Sequence, residues 1–481
     1  MKARLHLGWL ALPLLCGCVS VGPDYSRPRL DTPPAWHAAQ PQPAQNSQGF
    51  EQAAWWRTFG DPRLDGLMRR AVAANQDVAQ ARARVLQARA EAAVVRAGAF
   101  PALDAGAATT TSYSDQNALS STPLENAAPA TPATTYQAGL SVSWELDVFG
   151  GQRRSREAAY ADAQASEEAL RGVTLGLLAD VASAYVQLRS AQQRLAIARD
   201  AARSQQDNLV VTLERFRIGL TSHLDVSQAQ AQRANTQADI PTLETEARQS
   251  IHRLGVLTGQ EPGALLVELG QAEPLPRPEA AFSPGLPSEL LARRPDLRKA
   301  ERQLASASAG IGVATAKLYP SFDLTMGLGL QGNVLTKFAG LANWYWSIIP
   351  SVAAPVFDAG KNRAGVDKQK AVYDEAMAAY RQTLLTALEE VENSLTAFAK
   401  EQERRASLAE AVRAGEEALA LARERYTKGL TSFLDVLSAE KSLYDTQKSL
   451  CASEAGLLQD MISLYKALGG GWDSPALRAS S

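Results

Sequence analysis

The chain has 481 residues, with 49 Lys and Arg against 51 Asp and Glu and a formal charge of −2, so it lacks the basic footprint of a nucleic-acid binder. Its three cysteines cannot build a disulfide framework, and its four histidines share no metal-ligand spacing. Nucleophile-elbow, zinc-protease, phosphate-loop and paired-cysteine motifs are missing from the sequence, so no cofactor or metal is expected and an enzyme is the least favoured class.

Lys2 and Arg4 precede a short apolar run, residues 5–15, which reads as a signal peptide too short to span a bilayer. Leu15, Cys16, Gly17 and Cys18 then resemble the bacterial lipobox. That resemblance implies cleavage after residue 17 and lipidation of Cys18. Cys16 follows bulky Leu15 and fits less well, and Val19, in place of an Asp, favours the outer membrane over retention at the inner one. An ordinary cleaved signal is the alternative. VGPDYSRP (21–28) and a Pro- and Gln-rich stretch to about residue 48 read as an extended arm within 18–60. WWRTFGDPRLDGLM (55–68) opens the ordered body.

The body reads as two repeats. Repeat 1 is expected over 61–258, with a helix at about 77–99, a β-hairpin over 102–148 and a long helical hairpin over 152–258. Tyr136, Ala138, Leu140, Val142, Trp144 and Leu146 alternate with Gln, Gly, Ser, Glu and Asp, the period-2 pattern of a strand with two different faces. The helical run that follows has a heptad seam at Leu177, Val181, Ala184, Leu188, Ala191, Leu195, Ala198 and Ala202. Its turn is GLTSHLDV (219–226). After a Pro-rich segment, 259–288, repeat 2 is expected over 289–468. It brings a helix at about 296–318, a hairpin over 321–357 and a helical hairpin over 361–468. Phe322, Leu324, Met326, Leu328 and Leu330 alternate as before, Trp346, Ile348, Pro350, Val352 and Ala354 share a face, and Leu384, Leu388, Val391, Leu395 and Phe398 mark the second seam. The second turn, GLTSFLDV (429–436), matches the first at seven of eight positions. A tail, 469–481, ends the chain. Cys451 falls in a helical run as a small buried filler. Trp144, Trp344, Tyr345 and Trp346 suit an aromatic girdle.

Beyond the leader no run of about twenty apolar residues appears, so any membrane crossing must use strands. Four strands cannot close a sheet, and an open edge in lipid leaves backbone groups unsatisfied. Three chains give twelve strands and twelve helical staves. At about 10 Å per stave, such a ring encloses a lumen approaching 30 Å.

These motifs together resemble the outer-membrane factors, TolC-like channels, and specifically the NodT-type lipoproteins that serve resistance-nodulation-division efflux pumps. The lipobox, VGPDYSRP, WWRTFGDPRL, the Phe100-Pro101 and Tyr319-Pro320 strand starts, ELDVFGG against VFDAGKN and the twin turns carry the resemblance. It implies a mostly α protein with a transmembrane β-barrel: a homotrimer with a twelve-stranded barrel in outer-membrane lipid, a long α-helical periplasmic barrel and an equatorial belt. It also implies a passive exit duct joined to an inner-membrane pump by a periplasmic membrane-fusion adaptor. The family's docking motif falls on Arg217, Gly219, Leu220, Thr221 and Ser222, and on Gly429, Leu430, Thr431 and Ser432. A family gate acid falls on Asp435, with Asp225 as its copy. The second gate acid falls on Ser438, a departure from the family's two-ring pattern, and helix capping is the competing role for both Asp residues. A duct for protein export and a pore-free lipid-anchored scaffold are the alternative functions.

Overall fold

The computed structural model describes residues 20–37, 52–113, 132–277 and 287–472; Cys16 and Cys18 lie outside them. In chain order the elements are α1 (Pro62–Ala74), α2 (Gln76–Ala97), β1 (Ala102–Ser112), β2 (Ala133–Glu145), α3 (Gly151–Arg217) and α4 (His223–Leu257). Two single turns follow, α5 (Leu266–Leu269) and α6 (Leu290–Arg293). The second half runs α7 (Pro295–Ala316), β3 (Ser321–Gly332), β4 (Trp344–Ala353), α8 (Lys361–Thr427) and α9 (Phe433–Ala467).

The duplication is metrical. α3 and α8 both have 67 residues, α4 and α9 both 35, and α2 and α7 both 22. Left-handed glycines punctuate the two copies at one offset: Gly150 and Gly360, Gly219 and Gly429, Gly259 and Gly469, each pair 210 residues apart. α2 and α7 begin 219 residues apart instead (76 and 295), so the nine extra residues of repeat 1 lie between α2 and α3, in the strand segment.

Residue contacts divide the chain into two units. The first comprises residues 1–28, 86–165 and 301–379. It holds an antiparallel sheet in the order β1-β2-β3-β4. The register sets Leu103 against Val142, Val142 against Met326 and Met326 against Ile348, so the apolar sets of all four strands fall on one face. The pleat does this, because side chains alternate and register aligns the alternation across strands. In the same unit residues 20–25 form a strap. Val21 N–H donates to the Phe149 carbonyl (3.0 Å), and Arg154 donates to the Val21 and Gly22 carbonyls and to Asp24 (2.6 Å). Gly22 must be glycine: its φ is +88°, and a Cβ there would lie 2.4 Å from the Gly312 Cα.

The second unit comprises 29–85, 166–300 and 380–481. Asp61 caps α1, accepting from the Arg63 and Leu64 amides, and Pro62 occupies the first turn, where no donor is needed. α1 thereby buries Leu64, Leu67, Met68 and Ala71, one face of a helix. They join Trp55, Trp56, Leu178, Tyr185, Ile251, Leu254, Met461 and Tyr465 in the main core, and Trp55 stacks on Tyr465 at 5.0 Å. An 18-residue window of α3 reaches a mean hydropathy of 1.3, enough for a membrane span by composition. Half of that window is buried in the protein, so its apolarity serves the core. Along the α3 seam Leu195 alone is merely half-buried, and on α8 Ala387 takes the fully buried place beside half-buried Leu388. Cys451 is buried against Ser190, and burial pushes its thiol up to about 11.

Candidate functional site

Two surfaces stand apart from a structural core: the helix-hairpin tips and the sheet. At the first tip α3 ends in a left-handed glycine. Gly219 N–H returns to the Phe216 carbonyl (3.0 Å) and Leu220 N–H to the Arg215 carbonyl (2.8 Å), the paired bonds of a Schellman cap. The second tip repeats it with Gly429 to Tyr426 (3.0 Å) and Leu430 to Arg425 (2.9 Å). α4 then begins with a capping box. The Ser222 hydroxyl accepts from the Asp225 amide (3.3 Å), and the Asp225 carboxylate accepts from the Ser222 amide (3.2 Å) and the Thr221 hydroxyl. At the second tip the Asp435 carboxylate likewise accepts from the Ser432 amide (3.2 Å) and the Thr431 hydroxyl, but the Ser432 hydroxyl donates to that carboxylate (3.1 Å) and the Asp435 amide turns to the Ser432 carbonyl (3.3 Å). Every docking and gate position read from the motif thus sits in a turn or its cap, except Arg217, whose guanidinium pairs with Glu214 (2.6 Å).

The caps shape the charge. Burial raises the Asp225 carboxyl, but hydrogen bonds from Thr221 and Ser222 outweigh it and leave the group below its ordinary value. At Asp435 the bonds from Thr431 and Ser432 dominate and lower it likewise. The turns also put large apolar side chains in water: Leu220 is 62% and Leu430 65% exposed, with Ile218, Leu224 and Leu434 exposed beside them. The one difference between the copies has a packing consequence. Phe433 is buried against Tyr426, whereas His223 is exposed and lies edge-on to Phe216.

On the sheet, Leu103, Leu140, Leu328, Trp346, Ile348 and Val352 leave an apolar face exposed. The opposite face carries Asp104, Gln137, Ser141, Ser143, Glu145, Asp323, Thr325 and Ser347, with Glu145 directly across from Asp323. Trp144 lies at one end of the apolar face, and Trp344 and Trp346 at the other. Tyr345 departs from the expected girdle. It alternates onto the polar face, where its hydroxyl accepts from Gln137 (2.8 Å). Among the described residues β1 and β4 each pair on one side only, leaving two open ladder edges.

Two buried polar centres carry no motif. Arg189 is wholly buried and donates to Glu273, the Gln271 carbonyl (3.1 Å), Gln192 (2.8 Å) and the Tyr185 hydroxyl (3.0 Å); Tyr185 in turn donates to Asp61. This ties the inter-repeat segment to α3. Nearer the tips, Glu440 accepts from Ser204 (2.9 Å), Asn208 (2.7 Å) and Arg423 (2.7 Å) through one carboxylate oxygen. The partners of Glu440 lie 17 to 236 residues away and Glu273 lies 84 residues from Arg189, so no local period signals these charge pairs.

A strand sheet apolar on one face and polar on the other, open at both edges and continued by 67-residue helices, defines a subunit of an outer-membrane channel. Residues 67–260 and 286–470 match the family described as outer membrane efflux protein. Nodulation protein T of Rhizobium leguminosarum bv. trifolii is 32% identical over 474 residues, covering 96% of each chain. The pyoverdine export outer membrane protein OpmQ of Pseudomonas aeruginosa is 32% identical over 481 residues, covering 96% of this chain and 97% of the relative. Among solved structures, the outer-membrane channel OprN superposes with a TM-score of 0.88 at 36% identity, covering 94% of this chain and 99% of that one. The chain belongs to the outer membrane efflux protein family and has the TolC-like fold.

Proposed function

We propose that three copies of this chain form the exit duct of a tripartite efflux system, with β1 of one copy closing on β4 of the next. The observation that carries the reading is the pair of open edges on a sheet whose apolar face is exposed. Lipid supplies no partner for a bare ladder, and three chains reach twelve strands, the smallest closed count with room for a conduit. The twelve long helices of the same trimer line the periplasmic part. Repeats 61–258 and 289–468 supply strands and staves, and residues 259–277, 287–288 and 469–472 contribute to the belt; 278–286 of the expected segment 259–288 and 473–481 of the tail lie outside the described residues. Glu268, held by Arg70 (2.7 Å), and Glu273, held by Arg63 (2.6 Å), support that placing of the inter-repeat segment.

The tips are the docking surface for a periplasmic adaptor, because five exposed apolar side chains cluster there on capped, rigid turns. Energy comes from an inner-membrane pump of the resistance-nodulation-division type, the partner class that the resemblance to the NodT-type lipoproteins implies. Cys18, lipidated, anchors the chain to the outer membrane; relatives include a probable outer membrane lipoprotein, SilC, of Salmonella typhimurium. The cargo class is small molecules rather than proteins, the reading favoured by relatives named for pyoverdine export and for toluene and solvent efflux. Asp225 and Asp435 supply the charge at the aperture as well as the caps, and Ala at both raises the resting conductance.

Gel migration tests the pore against the scaffold. A barrel trimer migrates as a compact species unheated and as an unfolded monomer after boiling, and it passes ions in a planar bilayer. A scaffold shows no heat-dependent shift and no conductance.

A further inference from the structure

We propose that a basic cleft beside the strap binds the phosphate of an anionic phospholipid headgroup in the inner leaflet of the outer membrane; this rests on reading Cys18 as a lipid anchor. The cleft, about 720 Å³, lies within the first unit and is lined by the strap, α2, the start of α3 and α7. Five guanidiniums face it, from Arg96, Arg153, Arg154, Arg156 and Arg302, against the carboxylates of Asp24 and Glu157, in a chain whose net charge is −2. Two of the five are committed. Arg154 holds the strap, Asp24 and Glu157, and Arg302 is paired with Glu301 and lies over the Tyr25 ring. Arg96, Arg153 and Arg156 make no ion pair among the described residues, and the Nε of Arg156 is buried without a hydrogen-bond partner. Planar guanidiniums with free forks suit a phosphate, which accepts paired N–H bonds.

Chain connectivity says where that phosphate comes from. The strap begins at Ser20, packed on Gly150, and Cys18 is two residues upstream, a reach of at most about 7 Å. Acyl chains on Cys18 therefore hold this end of α3 in the headgroup layer. Buried Ala161, Ala305 and Ala309 also line the cleft, and exposed Tyr160 stands beside them, apolar surface that suits the first carbons of an acyl chain. In the second repeat Arg363 keeps the charge at the copy of Arg153, but the copies of Arg154 and Arg156 are Ala364 and Val366 and the copy of Arg96 is Thr315, so the full cluster belongs to the first repeat, beside the anchor.

Native mass spectrometry of the detergent-purified, acylated full chain tests this, because one spectrum reads acylation, subunit number and bound lipid. Dioleoyl phosphatidylglycerol is titrated against dioleoyl phosphatidylcholine, with an inorganic phosphate arm. The expected result is saturable phosphatidylglycerol, one per protomer, held more tightly than phosphatidylcholine and weakened about tenfold by R153Q/R156Q, the loss of charge-assisted hydrogen bonds. R153K/R156K, which keeps the charge, retains most of the binding. Equal retention by wild type and R153Q/R156Q, or no preference between the two lipids, overturns the proposal. Displacement by millimolar inorganic phosphate overturns the lipid assignment in favour of a free anion. Loss of the trimer in R153Q/R156Q overturns it by assigning these arginines to a subunit contact. A wild-type monomer that still holds phosphatidylglycerol upholds the cleft while defeating the trimer, and an unacylated Cys18 in the same spectrum defeats the anchor.

Discussion

Single residues here act chiefly by satisfying backbone and buried charge. Asp225 and Asp435 are held below the ordinary carboxylate value of 3.8 by the hydrogen bonds they accept. An acid with a depressed folded value stabilises the fold above its unfolded value and loses that contribution as pH falls through the folded one. Tip protection is therefore constant from pH 8 to 5 and falls below about pH 4, which hydrogen exchange at the tip amides, corrected for intrinsic rates, measures. D225N/D435N, which keeps the shape without the charge, loses the pH dependence. Arg189 behaves differently because its side chain is wholly buried, whereas Glu273 is part exposed and keeps Arg63 as a second partner. R189A strands the buried Tyr185 and Gln192 contacts and costs about 3 kcal/mol, the low end for a broken buried pair. The trimer then dissociates at a lower temperature on unheated gels. R189K, which lacks the fork, recovers only part of the loss.

At the scale of elements, the turns decide what the hairpins present. Alanine at Gly219 or Gly429, where φ is +76° and +74°, costs about 1 kcal/mol each through left-handed strain. L220D/L430D leaves the Schellman bonds intact and abolishes adaptor capture in a pull-down without lowering the trimer's thermal stability. The helices and the two-faced strands were legible because period 2 and the heptad are local patterns, and β2 and β3 stand where alternating residues were strongest. The second hairpin is expected over 321–357, but β4 ends at Ala353, and Val356 and Phe357 stand exposed in the connection to α8. Tyr345 was grouped with its tryptophan neighbours by composition, yet in a strand adjacent residues face opposite ways. The tip turns could be read from Gly and Ser. Their capping roles could not be separated from a gate, since one residue type serves both. The Arg189 and Glu440 centres stayed hidden because charge partners brought together by folding leave no spacing to read.

For the whole molecule the proposed trimer is the unit that would conduct, and conductance is its readout. Replacing Asp225 and Asp435 by Ala raises the resting current in a planar bilayer; an unchanged current confines these acids to capping. G22V, whose added atoms meet Gly312, releases the strap and exposes residues 20–28 to limited proteolysis while the heat-modifiable trimer survives. The equal lengths of paired helices have a further meaning. Adding one residue to a helix turns everything past it by about 100°, carrying a buried seam into water. Two 67-residue rods and two 35-residue rods have held the same count after duplication, while the strand segments drifted apart by nine. A rod whose seam must stay buried is therefore expected to tolerate an insertion only as a whole heptad matched in the other copy, whereas the connection between strands accepts residues singly.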